Sequence, residues 1–213
     1  MKGFIITLLL LFFACDKKVK TISASNSKTS KVENPAESKV YEILYNHTWF
    51  QYYQKENPAF KFENFQLKEA YPIVYQKSSV TIMNEKDFNE IYTPFFIFNE
   101  SKRKYVDFDS YQWFPASDGY AEFEADQQVV LVDMKKKEAR QIAFFGPSYW
   151  IEDAYWKGDS AVVLLGNSYE KVPFILKYNF EKNIVQNFQY PDTLKIETTY
   201  SKMRLRSKGI KVD

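Results

Sequence analysis

The sequence predicts an all-β domain built as an antiparallel meander, with a short helix at its start and a processed, tethered N-terminus before it. Three observations carry that expectation. Apolar runs rich in Val, Ile, Phe and Tyr recur from residue 94 onward, separated by turn signals at short, regular spacing. The aromatic share is 18%, with 19 Phe, 16 Tyr and 4 Trp, and this favours strands over helices. The aromatics are also partitioned along the chain: residues 16–40 hold none, and everything after residue 40 is studded with them.

Taken in chain order, 38–54 (SKVYEILYNHTWFQYYQ) puts Val40, Ile43, Leu44 and His47 at helical spacing, although its aromatic content also suits a strand. A helical turn is expected at 85–92, with Phe88, Ile91 and Tyr92 on one side. PFFIFNESKRKYVDFD reads as two strands around a Ser-Lys-Arg turn. Four strands are then expected at 150–156, 161–166, 173–178 and 184–190, broken by the turns KGDS and FEKN. AVVLL reads as a strand covered on both faces. In the last strand Ile184, Gln186, Phe188 and Tyr190 alternate with Val185, Asn187 and Gln189, the pattern of one buried face.

The stretch before residue 149 repeats this layout as YQWFPA, SDGY, AEFEA, QVVLVDM, KKKEA and RQIAFFG, with a period of roughly 40 residues. In layout alone it resembles the four-stranded blades of β-propellers, without a Trp-Asp signature. Residues 41–213 would hold at most about four such units. A sandwich or an incomplete barrel is the other form the same meander can take.

The N-terminus answers to different physics. Lys2 precedes an apolar run, Phe4 to Ala14, interrupted only by Thr7. At about 1.5 Å rise per residue this run covers roughly half a bilayer core, too short to span it and suited to a signal-peptide h-region. It ends Phe12-Phe13-Ala14-Cys15. That sequence resembles the lipobox of bacterial lipoproteins, which are cleaved before a Cys whose thiol carries a diacylglycerol. Phe12 and Phe13 depart from the commoner Leu and small residue. The resemblance covers residues 1–16 and implies a lipid anchor at Cys15. Asp16 resembles an inner-membrane retention signal of some Gram-negative bacteria; because that rule is not general, the outer membrane is the expected site. Residues 16–40 then form a Ser/Lys/Thr/Asn-rich tether reaching on the order of 30 Å. The domains expected are thus 1–14, 15–40 and 41–213.

Composition narrows the function classes. Cys15 is the only cysteine, so the body has no disulfide, thiolate metal site or thiol nucleophile. Formal charge is +2, and removing residues 1–14 takes away one Lys and no acid, so nucleic-acid binding driven by charge is not expected. His47 is the only histidine, which speaks against a metal centre or a Ser-His-Asp triad and for a structural role. No cofactor and no catalytic residue is assigned.

Asp107 and Asp109 would share one strand face, and Glu152 and Asp153 would point to opposite faces. Solvated strand faces account for all four, and a cation between Asp107, Asp109 and Asp118 lacks the loop of an EF-hand. Trp113, Tyr149, Trp150, Tyr155 and Trp156 fall near strand ends and are the candidate ligand-binding residues, because an aromatic ring offers rigid contact area to a sugar or a protein. In SKMRLRSKGIKVD, Lys202, Arg204, Arg206 and Lys208 alternate with Met203 and Leu205, reading as a final strand with a basic stripe. The triplets Asp159-Ser160-Ala161 and Asp192-Thr193-Leu194 resemble an O-glycosylation motif of some Gram-negative envelope proteins, with Ser160 and Thr193 as acceptors.

The resulting expectation is a membrane-anchored envelope protein whose β-domain binds a protein or glycan. The alternatives are a small carboxylate hydrolase of envelope glycans and a structural subunit of an envelope complex. Cys15→Ser removes the thiol that carries the diacylglycerol, so the variant is expected to lose the lipid and to keep residues 1–14, both read from the mass of the N-terminal peptide. A wild-type N-terminal peptide that begins at residue 15 without a lipid mass, or equal membrane retention of a variant that is processed, would refute the anchor.

Overall fold

Strand follows strand through most of the chain, and the long β-branched runs are those buried on both faces. The computed structural model describes residues 45–213, which belong to one unit, Pro35–Asp213. The signal segment, Cys15, the tether and Val40, Ile43 and Leu44 lie outside the described residues.

The first sheet takes its strands in the order β1 (Gln66–Pro72), β12 (Ile184–Gln189), β11 (Phe174–Asn179), β10 (Ala161–Ser168) and β9 (Tyr149–Lys157). The second runs β2 (Gln76–Lys77), β8 (Glu138–Phe145), β7 (Gln127–Asp133), β4 (Lys104–Asp107) and β3 (Ile97–Phe98). A separate hairpin joins β5 (Trp113–Pro115) to β6 (Ala121–Phe123). All these strand pairs are antiparallel.

The two large sheets meet face to face. Ile151, Val162, Leu164, Leu176 and Val185 of the first pack with Val106, Val129 and Ile142 of the second, giving a sandwich core. Each outer face is covered as well. Val163, Leu165 and Ile175 lie under helix α1 (Thr48–Glu56) and its Trp49, Phe50 and Tyr53. Tyr105, Val130 and Val132 lie under the 3-10 turn Glu90–Phe95 and under Leu205 of helix α2 (Tyr200–Ser207). Double coverage explains AVVLL and shows where most of the aromatics go: into three apolar layers.

The meander at 149–190 forms as expected, β9 to β12 in one sheet. The preceding unit does not repeat it. β4 pairs directly with β7, from Lys104↔Asp133 to Asp107↔Val130, and so fills the edge that β6 would need. β5 and β6 are left as their own hairpin. Within the described part of 38–54 a helix spans Thr48–Glu56, with His47 as its cap; the helical turn expected at 85–92 does not form there and is displaced to the 3-10 turn Glu90–Phe95, which leaves Phe88 outside it.

The C-terminal segment departs furthest. It is helix α2 and not a strand, because the residues it buries, Tyr200, Arg204 and Leu205, follow helical spacing. The basic stripe dissolves with it. Arg204 is buried, Arg206 donates to the Val212 carbonyl, Lys202 to the Asp213 carbonyl and Lys208 to the Pro94 carbonyl.

β10 and β9 run very close together at Gly166. A Cβ added there would stand 2.3 Å from the Phe174 ring and 2.6 Å from the Trp150 carbonyl oxygen. Gly166→Ala is therefore expected to destabilise the domain by about 1–3 kcal/mol, measured by urea unfolding; an unchanged midpoint would show that the strands part without cost.

Candidate binding cleft

Four carboxylates expected on solvated faces are buried: Asp107 and Asp109 are each 2% exposed, Glu152 0% and Asp153 8%. The reason for Glu152 and Asp153 is a β-bulge. In the β9–β10 register Asp153 faces Leu165 and Ile151 faces Gly166, so Glu152 is an extra residue. Ile151 and Ala154 still point into the sandwich, while Glu152 and Asp153 both reach the helix-covered face. The expectation of opposite faces assumed an unbroken strand.

Glu152 is enclosed by donors. Its carboxylate accepts from Trp49 Nε1 at 2.8 Å, Tyr53 OH at 2.8 Å, Trp150 Nε1 at 3.3 Å and Ser201 N at 3.4 Å. Burial pushes its pKa up, and these donors pull against that shift. Asp153 accepts from Tyr200 OH at 2.9 Å, with His47 Nε2 at 3.8 Å. His47 takes the structural role expected of it: Nδ1 accepts from Trp49 N at 3.3 Å and caps α1, and burial lowers the imidazole pKa against the opposing charge of Asp153.

Asp107 ends β4 by accepting from the backbone N–H groups of Asp109 and Ser110, both at 3.0 Å, and from the Ser110 hydroxyl. Burial pushes its pKa up to about 6. Asp109 makes a two-pronged pair with Arg204, Nη2 to Oδ1 at 2.7 Å and Nη1 to Oδ2 at 3.0 Å, and accepts from Trp113 Nε1 at 3.1 Å. The guanidinium lies over Phe108, 4.9 Å from its centroid. Burial disfavours the Arg204 charge, but Asp109 overrides it and raises the pKa.

This pair forms the floor of a cleft of about 170 Å³ between α2, the start of β9 and the β5–β6 hairpin. Trp113, Phe123, Trp150 and Leu205 supply its apolar wall. Gln112, Ser201 and Lys202 stand among them. Of the four buried acids only Asp109 lines the cleft, and both its oxygens are bonded. The arrangement offers ring faces and hydrogen-bonding groups rather than a pair of opposed carboxyls. Among the described residues no group of three or more His, Cys, Asp or Glu side chains is placed to hold a metal ion.

The five aromatic candidates do not form one patch. Trp113 and Trp150 share the cleft. Tyr149 is 46% exposed and edge-on to Phe174, Tyr155 packs by His47, and Trp156 packs on the sandwich core and donates to the Ile97 carbonyl. Ser160 is half-buried between β9 and β10, and Thr193 is exposed. Gln112, Phe123 and Ser201 were not singled out by sequence. Only their closeness to Trp113 and to the basic segment hinted at a role.

Arg204→Met leaves Asp109 buried without its cation and is expected to cost about 3–5 kcal/mol. The double change Asp109→Leu with Arg204→Met should recover most of that in urea unfolding. A single-variant loss below about 1 kcal/mol would show that the pair contributes little. No family model, no curated protein and no solved structure matches this chain.

Proposed function

We propose that the chain is a lipid-anchored cell-envelope protein, held in the outer membrane through Cys15, whose β-domain binds a protein or glycan partner without transforming it. The observation that carries the binding half is the cleft. Two indoles and a phenyl ring line it, and the one carboxylate in its wall is fully engaged by Arg204 and Trp113. Supporting the anchor are the lipobox-like residues 12–15 and the lack of any other cysteine. Among the described residues no helix is long and apolar enough to cross a membrane.

The hydrolase alternative needs two carboxyls facing one another across a substrate, and only Asp109 lines the cleft. Assembly as a structural subunit would use an open sheet edge. β1 is one, exposed along its whole length. It also carries Lys68, Pro72 and a register break between Leu67 and Glu69, devices that discourage a further strand from pairing there.

Trp150 decides the matter. Immobilised full chain should retain a component of a cell-envelope digest that Trp150→Ala fails to retain while still unfolding cooperatively in urea, at a lower midpoint because Glu152 loses one donor. Equal retention by the two proteins would sink the cleft as the binding site.

A further inference from the structure

A dense group of cations gathers at one end of the sandwich. The turn joining β3 to β4 holds Lys102 and Arg103, with Lys104 opening β4, and the turn joining β7 to β8 holds Lys135, Lys136 and Lys137. Antiparallel pairing brings the two turns side by side: Lys104 faces Asp133, and Met134 N donates to the Arg103 carbonyl at 2.9 Å. All six side chains are exposed except Lys104, which is half-buried.

The acids at this end do not balance them. Residues 99–104 and 133–140 hold seven cations and three acids, whereas the whole chain carries +2. Asp133 accepts from Lys136 N at 3.0 Å, which fastens its turn, and Glu138 pairs with Arg140 at 2.7 Å. Lys137 meets Glu85 at 3.0 Å, and Glu100 completes the acids of the two turns. The first sheet's turns at this end, 157–160 and 180–183, add one cation and one acid each. Asp159 of the first accepts from Asn99 Nδ2 at 2.7 Å and Ser101 N at 2.9 Å. Among the described residues, Lys102, Arg103, Lys104, Lys135 and Lys136 form no ion pair.

The backbone shows that lysine is not the easy choice here. Lys102 and Lys137 sit at φ 53° and 54°, the left-handed region that favours Gly and Asn. The β11–β12 turn has the same length as the β7–β8 turn and the same cap, Lys182 N on Asn179 Oδ1, but carries Asn183 at the left-handed position. Lys171, left-handed at the far end of the first sheet, donates to the Ile196 carbonyl, whereas Lys102 has no such use. Strain held in an exposed turn points to a use for the side chain.

We propose, resting on the anchor read above, that this end of the sandwich lies on the phosphate headgroups of an anionic lipid surface. Lysines on flexible stems in exposed turns present diffuse charge, which suits a fluid array of phosphates better than the fixed carboxylates of one protein. Tyr75, 38% exposed with the Arg140 guanidinium 5.6 Å from its ring centroid, stands beside them as a side chain suited to headgroup level. The cleft lies at the start of β9, the opposite end of that strand from the 157–160 turn, and so stays open on the side away from the lipid.

The test removes detergent from the full chain in the presence of vesicles of phosphatidylcholine alone or with about 30% phosphatidylglycerol. Flotation reports the anchor, and the rate of acetylation at each lysine, read by mass spectrometry, reports the surface. Lys135 and Lys136 should react about ten-fold more slowly on the anionic vesicles, an effect that high salt removes. Lys171 and Lys195, neighbours at the far end through Leu194 N and the Lys171 carbonyl, should react alike on both. Lys137→Asn suits the left-handed turn, so it should keep the urea midpoint while lowering the protection of Lys135 and Lys136 about five-fold. Flotation with both vesicles but equal acetylation, or a Lys137→Asn chain as protected as wild type, overturns the lipid surface and leaves the anchor. Flotation with anionic vesicles alone overturns the anchor and leaves the surface, and flotation with neither overturns both. Protection by soluble polyglutamate and not by vesicles overturns the lipid assignment in favour of an acidic protein.

Discussion

The buried carboxylate of Glu152 is the interaction on which the arrangement of the helices depends. Burying an ionised carboxyl costs several kcal/mol unless donors surround it. Here they come from three elements: Trp49 and Tyr53 on α1, Trp150 on β9, and the backbone N–H of Ser201 on α2. Hydrogen bonds to a charged group contribute about 1.5–3 kcal/mol each. The four pull against the cost of burial without cancelling it, since the pKa stays raised, and together they tie three separate pieces of chain to the same point. The carboxylate also sits at the positive end of α2, where a negative charge is favoured.

Glu152 reaches that position because β9 carries one residue more than β10 opposite Gly166. With an unbroken strand, Glu152 or Asp153 would be driven into the sandwich core among Val106, Val162 and Leu164. The bulge turns both acids outward to meet helices that carry the matching donors. α2 is then held at two levels. Its first turn is fastened by Glu152 and by Tyr200 bonding to Asp153, and one turn later Arg204 reaches Asp109, just beyond β4 of the opposite sheet. A helix of eight residues is marginal by itself, so this one owes its existence to those contacts.

Strands, turns and coverage were legible in the sequence because they follow from local rules: alternation, β-branching, and turn residues at short spacing. The four strands of 149–190 and the double burial of AVVLL needed nothing else. Two of the segments that misled did so for non-local reasons. SKMRLRSK alternates perfectly as a strand, but Arg204 is drawn inward by an aspartate 95 positions away. WIEDAYW shows no mark of a bulge, which lies where β9 passes Gly166 of β10 and is set by the pairing of the two strands. The acids were assigned to solvent because an isolated Asp or Glu belongs there, and only the folded chain supplies Trp49, Tyr53, Tyr200 and Arg204 as their partners. Trp113 and Trp150 could be singled out as aromatics near strand ends. That they would share a cleft, while Tyr149, Tyr155 and Trp156 would not, depends on β5–β6 leaving the sheet.

That departure is what creates the cleft. Once β4 occupies the edge of β7, the hairpin has no sheet to join, and it packs Trp113 into the layer with Tyr92, Phe95 and Leu205 while leaving Phe123 and Phe114 partly exposed. The gap between this hairpin and β9 is bridged by α2, which can lie there only because Glu152 and Asp109 hold it from the two sides. The same pairing that anchors the helix fixes the Arg204 guanidinium in the lining of the cleft, with both terminal nitrogens on Asp109. Anchoring and the building of the cleft thus draw on one residue. The charge pair that locks α2 across the sandwich is also part of the cleft's lining, so the site's geometry is inherited from the core.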